Sequence, residues 1–204
     1  KALPWNIVFG IGSLATLPAQ IEKLGLERAM VLTTPEQKAT GEEIVQLLGE
    51  RAAGLFDQAK MHVPSETLEA AKTTADAINA DCTIALGGGS TTGLGKALVI
   101  HKSLPNIAIP TTYAGSEMTD IWAVTEQGRK VTARDPAVVP TLTIYDPELT
   151  RSLPVGFAVV SGLNALAQAI VNVATDKPNP IVASLALDGV RALVNALPRI
   201  KANP

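Results

Sequence analysis

The chain has 204 residues, of which 47% are apolar and 18% charged, and its net charge is −2. This apolar share beside so few charges excludes a disordered chain and predicts a large buried core. The sequence has no basic run and only 3% aromatic residues, which argues against a nucleic-acid partner. One cysteine and two histidines exclude a disulfide framework and leave little room for a metal site built from protein ligands.

The amino terminus shows no signal peptide, because Lys1 leads into Trp5 without an apolar segment of the required length. The one candidate for a membrane span is the uncharged stretch 152–175. It contains Asn164 and Gln168, and a lipid-facing helix tolerates such polarity poorly. We therefore expect a buried helix in a soluble, cytoplasmic protein with no membrane partner.

Short apolar runs alternate with helical periodicity through the first half of the chain, which predicts a parallel sheet joined by helices. The predicted strands are 7–9, 29–32, 82–86, 107–109 and 141–145, and the predicted helices are 14–24, 40–48, 65–79 and 92–100. A β-hairpin is predicted where 121–124 and 130–132 flank Glu126-Gln127-Gly128. The fold class is therefore α/β.

Beyond Pro154 the pattern is helical, with helices predicted at 155–174 and 180–197. We expect a Rossmann-like α/β domain over 1–152 and the start of an all-helical domain over 153–204. Two helices rarely bury enough surface to stand alone, so the helical part is expected to be truncated at Pro204.

A glycine-rich turn, Gly87-Gly88-Gly89-Ser90, stands between a buried strand and a helix. A helix N-terminus offers unpaired N–H groups and a partial positive charge, and glycines let an anion approach the backbone. Ala97 follows Lys96, so the turn does not match the Walker A motif of nucleotide hydrolases. The turn predicts a phosphate site; the alternative is a tight turn without a ligand.

A second polar turn, Pro110 to Glu117, follows the next strand. Ligands of open parallel sheets bind beyond the carboxyl ends of the strands. Thr111, Thr112 and Ser116 are therefore candidates for bonding to phosphate, ribose or a nicotinamide amide. The alternative is a turn capped by its own hydroxyl groups.

The first strand is followed by Gly10-Ile11-Gly12-Ser13-Leu14-Ala15, which fits the dinucleotide fingerprint G-x-G-x-x-A. No acidic residue ends the next strand, at Thr33-Thr34, so we interpret this match as an ordinary turn. The same lack of a carboxylate predicts that both NADH and NADPH are accepted.

Five stretches together resemble the iron-containing alcohol dehydrogenase superfamily and, within it, the maleylacetate reductase branch. They are VFGIGSL at 8–14, ALGGGSTTGLGK at 85–96, IPTTYAGSEMT at 109–119, RDP at 134–136 and IYDPELT at 144–150. Gly93 also separates the chain from the metal-using relatives, which tend to carry Asp there.

The resemblance implies a fold of the dehydroquinate synthase and iron-containing alcohol dehydrogenase type. It implies an enzyme that uses NADH or NADPH to reduce maleylacetate, a small dicarboxylate, to 3-oxoadipate. It also implies that the cofactor is bound by Gly88, Gly89, Ser90, Thr111, Thr112, Ser116, Lys130 and Leu149. Such relatives tend to be homo-oligomers, so we expect self-association.

The metal-using relatives bind their ion partly through an Asp and a His that align with Asn164 and Gln168. Neutral amides are poor ligands for a divalent ion, so we predict no metal. No catalytic residue is assigned, and the candidates for lining the cleft are Asn164, Gln168 and Tyr113. His62 and His101 are interpreted as surface or loop residues.

A dicarboxylate needs cationic partners, and Arg129, Lys130, Arg134 and Lys96 are either such partners or ordinary surface charges. Two other functions stay open. One is a metal-dependent alcohol or polyol dehydrogenase, which metal analysis after chelation would identify. The other is a non-catalytic nucleotide-binding fragment, which would bind NADH without oxidising it.

Overall fold

The computed structural model describes residues 5–176 and 179–202. Its strands are β1 (Ile7–Phe9), β2 (Ala29–Leu32), β3 (Ala52–Phe56), β4 (Cys82–Gly87), β5 (Asn106–Pro110), β6 (Ile121–Glu126), β7 (Arg129–Arg134) and β8 (Leu142–Tyr145). Its α-helices are α1 (Leu17–Lys23), α2 (Lys38–Leu48), α3 (Ser65–Ala77), α4 (Gly89–Lys102), α5 (Val155–Val173) and α6 (Pro180–Ala202). The chain forms two compact units, of which the first holds the described residues up to 111 and 116–151, and the second holds 112–115 and those from 152 onward.

The first unit is built on a six-stranded sheet in the order β1-β8-β5-β4-β2-β3. All five strand pairings in this sheet are parallel, and β6 and β7 form the predicted antiparallel hairpin. The predicted α/β class with a parallel sheet is therefore confirmed.

Helices cover the central strands of this sheet on both faces. Alternate side chains of β2 enter different clusters: Val31 joins the core that includes Leu17 of α1 and Ile44 of α2. Met30 joins the core that includes Leu68 of α3 and Leu98 of α4. A strand buried on both sides needs apolar residues at every position, which explains the continuous apolar runs in the sequence.

The order of the strands reverses direction between β2 and β4. From β2 the chain continues outward to the edge strand β3, and from β4 it continues through β5 to β8 on the other side. The loops that follow β2 and β4 therefore diverge and leave a crevice at the carboxyl ends of these strands. Ligands of open α/β sheets bind at such a point.

The edge strand β3 is absent from the sequence-based prediction. Its residues Ala52, Ala53 and Gly54 have little β-propensity, and Phe56 is its only buried residue. Pairing with β2 holds it in place. A methyl group at Gly54 would lie 3.2 Å from Cδ1 of Ile78, so close packing under α3 explains why a poor strand former stands there.

Helix α4 begins at Gly89, three residues earlier than predicted. Glycine disfavours helices, but Gly88 is extended and its carbonyl accepts a hydrogen bond from the Thr92 amide at 3.1 Å. Thr91 and Thr92 are buried, so packing overrides the local preference. Gly89 and Ser90 therefore lie in the first helical turn.

The second unit contains α5 and α6, which pack against each other where Gly162 meets Leu197. A methyl group at Gly162 would collide with Cδ2 of Leu197. Helix α6 continues through Pro198 to residue 202, past the predicted end at Leu197.

The prediction that the 152–175 stretch forms a buried helix is wrong for the described residues. Only Ala158 and Gly162 of α5 are buried, because the partner α6 covers a single side of the helix. Both α5 and the stretch 180–200 of α6 are long and apolar enough to cross a membrane, by length and composition alone. The expected absence of a membrane partner stays a prediction.

Candidate functional site

The glycine-rich turn leaves the N-terminus of α4 open. Gly87 has a φ of +137° and Gly88 is extended, a path that brings the backbone sharply from the strand into the helix. Within the described chain no side chain caps this end of α4, and a methyl group added at Gly89 would meet no atom within 4 Å. The first-turn amides therefore face open space, as an anion-binding helix terminus requires.

The second polar turn begins directly beside the first. The Thr111 amide donates to the Gly87 carbonyl at 3.0 Å, which continues the pairing of β4 with β5 beyond the strands. Thr111 is 5% exposed. Four of the predicted cofactor residues thus lie together at the carboxyl ends of the central strands β4 and β5: Gly88, Gly89, Ser90 and Thr111.

A residue that sequence reasoning missed, Gln37, joins these turns. It stands after β2, and its Nε2 donates to Oγ1 of Thr111 at 2.9 Å. Its side chain passes over Gly87, where a methyl group would lie 2.5 Å from Oε1 of Gln37 and 2.8 Å from Oγ1 of Thr91. No motif marks Gln37 in the sequence; the only indirect signal is that Gly87 must lack a side chain.

Lys96 has neither of the two predicted roles, which were a partner for a substrate carboxylate and an ordinary surface charge. Its side chain is completely buried, so it is neither a surface charge nor accessible to a carboxylate substrate. Its Nζ donates to the carbonyls of Ser116, Thr119 and Ile121 at 2.6, 2.7 and 2.9 Å, and to Oγ1 of Thr119 at 3.0 Å. The second turn of α4 points into the protein, and the ammonium group therefore holds the 116–121 segment against this helix.

The charge of a buried carboxylate acts on this ammonium, and the phenol of half-buried Tyr145 bonds to that carboxylate. Glu117 is 4% exposed and accepts a hydrogen bond from the Tyr145 hydroxyl at 2.7 Å. Burial lowers the pKa of Lys96 to about 8, although the charges of Glu117 and Asp120 oppose the shift. Burial, assisted by Glu117, raises the pKa of Tyr145, which keeps its hydroxyl a donor to Glu117.

The lowered pKa of Lys96 predicts an alkaline gain in stability. Between about pH 8 and its ordinary value of 10.5, the unfolded chain keeps the Lys96 proton while the folded chain releases it. The free energy of unfolding therefore rises with pH across this window, by up to about 3 kcal/mol, and is constant in this respect below pH 8.

Urea unfolding of the wild type and of Lys96→Met, near pH 8 and near pH 10.5, measures this gain. The free energy of unfolding of the wild type minus that of the variant should rise between the two pH values. Other titrating groups are common to the two proteins and cancel in the difference. A difference that stays flat, or that falls as pH rises, would contradict the assigned burial of the charge.

The other predicted site residues are more scattered. Ser116 contributes its carbonyl to Lys96, Leu149 packs against the core around Val31, and Lys130 is exposed on β7. In the second unit, the Tyr113 amide donates to Oγ of Ser161 at 2.9 Å. The Ala114 amide lies 3.4 Å from Oγ1 of Thr112, which favours a self-capped turn at this residue.

The amide pair on α5 does not form a closed cluster. Asn164 and Gln168 are exposed, and Nδ2 of Asn172 donates to the Gln168 carbonyl at 2.8 Å. Throughout the part of the chain that the structure describes, no three His, Cys, Asp or Glu residues lie close enough to hold a metal ion. The absence of a bound metal stays a prediction.

The earlier fingerprint-like turn is occupied by the protein itself. Asp146, at the end of β8, accepts hydrogen bonds from the amides of Gly12 at 3.2 Å and Leu14 at 3.1 Å. A phosphate at this turn would need the same two amides. Asp146 is only 4% exposed, so its carboxylate is held in this position. The contacts favour our interpretation of Gly10 to Ala15 as an ordinary turn.

A carboxylate does stand close to the end of β2. Thr33 is buried, whereas Thr34 is half-exposed, and a hydrogen bond from the Thr34 side chain lowers the pKa of the exposed Glu36. The turn after β2 thus brings a carboxylate back to a strand end whose own residues carry none. The expectation that both NADH and NADPH are accepted stays a prediction.

The remaining candidates are partly used by the protein. Arg134 pairs with Asp120 at 2.6 Å, so it is not a free partner for a substrate carboxylate. His62 and His101 are exposed, as predicted. The ring of His101 meets Trp122 edge to face, with 5.8 Å between the ring centroids, which is a packing contact.

Comparisons with known proteins agree on one relationship. The sequence profile described as "Iron-containing alcohol dehydrogenase" matches residues 4–147. The chain is 48% identical over 202 residues to a maleylacetate reductase of Sphingobium indicum, covering 99% of this chain and 57% of that protein. The chain thus spans little more than half the length of this curated relative.

Solved structures show the same similarity. The crystal structure of maleylacetate reductase from Agrobacterium tumefaciens matches with a TM-score of 0.96 and 47% identity, over 100% of this chain and 58% of that one. A sulfoacetaldehyde reductase from Bifidobacterium kashiwanohense, crystallised in complex with NAD+, matches with a TM-score of 0.91 and 25% identity, over 100% of this chain and 60% of that one.

Proposed function

Because the chain belongs to the iron-containing alcohol dehydrogenase family, we propose that it is the cofactor-binding part of an NAD(P)H-dependent oxidoreductase. The observation that carries the proposal is the uncapped N-terminus of α4 at the reversal point of the sheet. The similarity to maleylacetate reductases supports maleylacetate as the substrate and 3-oxoadipate as the product.

The residues at the carboxyl ends of β4 and β5 fit a dinucleotide. The first-turn amides of Gly89 and Ser90 bind the diphosphate, and Gly88 and Gly89 leave the space it needs. Thr111, Thr112 and Ser116 serve the nicotinamide half. The bound cofactor would supply a hydride. The protein holds Thr111 beside the glycine-rich turn through the Thr111–Gly87 hydrogen bond.

Lys130 and Leu149 are proposed cofactor contacts on the family resemblance alone, since neither lies within the group formed by Gln37, Gly87 and Thr111. Tyr113, Asn164 and Gln168 are proposed to line the substrate side. The exposed side chains of Arg129 and Lys130 are the cations proposed to meet the substrate's carboxylates.

The family description implies iron, but the described residues do not fit an iron site. Asn164 and Gln168 are exposed neutral amides, and the described part of the chain contains no group of three His, Cys, Asp or Glu residues that could hold an ion. A divalent ion needs anionic or imidazole ligands for stable binding. No step of the proposed reaction is therefore assigned to a metal.

Titration of the 204-residue chain with NADH and NADPH by calorimetry tests the proposal. We expect saturable binding of one nicotinamide dinucleotide per site, with ADP-ribose competing. An assay of NADH oxidation with maleylacetate then separates an enzyme from a nucleotide-binding fragment. Absence of saturable binding would contradict the proposed site, and binding without turnover would favour the fragment.

Glu36 predicts a preference for NADH over NADPH. Its exposed carboxylate repels a 2′-phosphate at the end of β2, and exposed charge pairs contribute modestly. We expect Glu36→Gln to strengthen NADPH binding about two- to fivefold and to leave NADH binding unchanged. The matched control is Glu43→Gln, which removes an exposed charge farther along α2 and should alter neither dissociation constant.

We also propose that the protein is cytoplasmic and self-associates. Phe9 and Ile11, in and just after the edge strand β1, are 74% and 77% exposed, and apolar side chains at a sheet edge favour contact with another chain. Light scattering at several concentrations measures the mass. A monomer at every concentration would contradict the proposed association.

A further inference from the structure

Gln37 spans the carboxyl ends of three neighbouring strands. It follows β2, passes over Gly87 at the end of β4, and reaches Thr111 after β5. It is half-buried, and its path is open only because Gly87 has no side chain. A polar side chain held across the crevice in this way is placed to act on the groups that surround it.

The direction of its hydrogen bond determines what Thr111 can do. Nε2 of Gln37 donates at 2.9 Å, so the Thr111 hydroxyl is the acceptor in that bond. The hydroxyl's own hydrogen is then left to donate in another direction. Among the described residues no hydrogen bond donated by the Thr111 hydroxyl is found.

The backbone of Thr111 is fixed as well. Its amide donates to the Gly87 carbonyl at 3.0 Å, and the residue is 5% exposed. The hydroxyl therefore has one partner, one free hydrogen and little freedom to move. It lies beside the open first turn of α4, where an anion or a carbonyl of a ligand would be an acceptor.

We propose that Gln37 is a positioning residue, which orients the Thr111 hydroxyl as a hydrogen-bond donor to the bound nicotinamide dinucleotide. This inference rests on the proposed function, because it concerns the same cofactor. Gln37 acts through Thr111 and itself makes no bond to the cofactor. Glutamine suits the role because the amide nitrogen that reaches Thr111 can only donate a hydrogen bond, which makes the hydroxyl the acceptor in that contact.

A double-mutant cycle with NADH as the ligand tests the inference. Gln37→Met keeps the length of the side chain and removes the donor, and Thr111→Val removes the hydroxyl. We expect about tenfold weaker NADH binding for each single variant, as for the loss of one oriented hydrogen bond to a charged group. The double variant should bind no more weakly than Thr111→Val alone, because the effect of Gln37 passes through the hydroxyl.

Three further variants make the cycle specific. Thr111→Ser keeps a hydroxyl and should retain both near-normal binding and the dependence on Gln37. Gln46→Met makes the same chemical change at an exposed position of α2 and should leave binding unchanged. Gln37→Ala provides a second truncation if the methionine variant does not fold, and thermal unfolding is measured for every variant.

The outcomes separate the inference from the proposed function. If the wild type binds NADH and Gln37→Met binds it equally well, the positioning role is wrong and the cofactor site stands. Additive losses in the double variant would show that Gln37 contacts the cofactor itself, which also overturns the inference. No saturable binding by the wild type would overturn the proposed function and this inference together.

Discussion

Lys96→Met is expected to destabilise the protein by about 3–5 kcal/mol, because the change removes one partner from a buried charged network. The lost ammonium leaves the carbonyls of Ser116, Thr119 and Ile121 without their donor. It also removes the cation whose charge acts on Glu117, which is 4% exposed. Buried acceptors without a hydrogen bond and a buried carboxylate without a compensating charge both favour unfolding.

The same change should weaken NADH binding, since the 116–121 segment loses its attachment to α4. Lys102→Met is the matched control: Lys102 lies on the same helix and pairs with Asp76 at the surface. It should destabilise by less than about 1 kcal/mol and leave NADH binding intact. Equal effects of the two substitutions, measured by urea unfolding and calorimetry, would refute the structural role of Lys96.

Gly87→Ala is expected to destabilise the protein by about 1–3 kcal/mol and to weaken NADH binding at least tenfold. The backbone at Gly87 has a φ of +137°, which side chains rarely adopt, so the substitution strains the turn. The added methyl group would also lie 2.5 Å from Oε1 of Gln37 and 2.8 Å from Oγ1 of Thr91. Both residues must move, and the orientation of Thr111 is lost with Gln37.

Gly89→Ala provides the informative contrast. A methyl group there meets no atom within 4 Å and replaces a poor helix former, so stability should be unchanged or rise by up to about 1 kcal/mol. NADH binding should nevertheless weaken, because the methyl group enters the space proposed for the diphosphate. If Gly89→Ala bound NADH normally, the first turn of α4 would not be the diphosphate site.

Much of the fold follows from local patterns in the sequence. Buried parallel strands need apolar residues on both faces, so Cys82 to Leu86 and Ile107 to Ile109 are recognisable without a structure. The edge strand at Ala52 to Phe56 is not recognisable, because its stability comes from pairing with β2 rather than from its own residues. The family resemblance is confirmed by the comparisons.

The site was only partly predictable. Glycines and hydroxyl groups after two strands indicate where the polar turns lie, and parallel pairing brings Gly87 to Thr111. Gln37 and Lys96 depend on which way a side chain points from its backbone, and a sequence pattern does not give that direction. The sequence does not indicate a role for Glu36, because the strand end at Thr33-Thr34 carries no carboxylate. Only the fold of the following turn brings the Glu36 side chain close to Thr34. The proposed cofactor residues stay predictions.

The two glycine-containing turns should differ in amide hydrogen exchange. The amides of Gly12 and Leu14 are bonded to Asp146 and should exchange slowly in every state of the folded protein. Those of Gly89 and Ser90 have no such partner and should exchange rapidly until a dinucleotide arrives. Asp146 therefore acts as an internal substitute for a phosphate, and it leaves only the later turn free to sense the nucleotide.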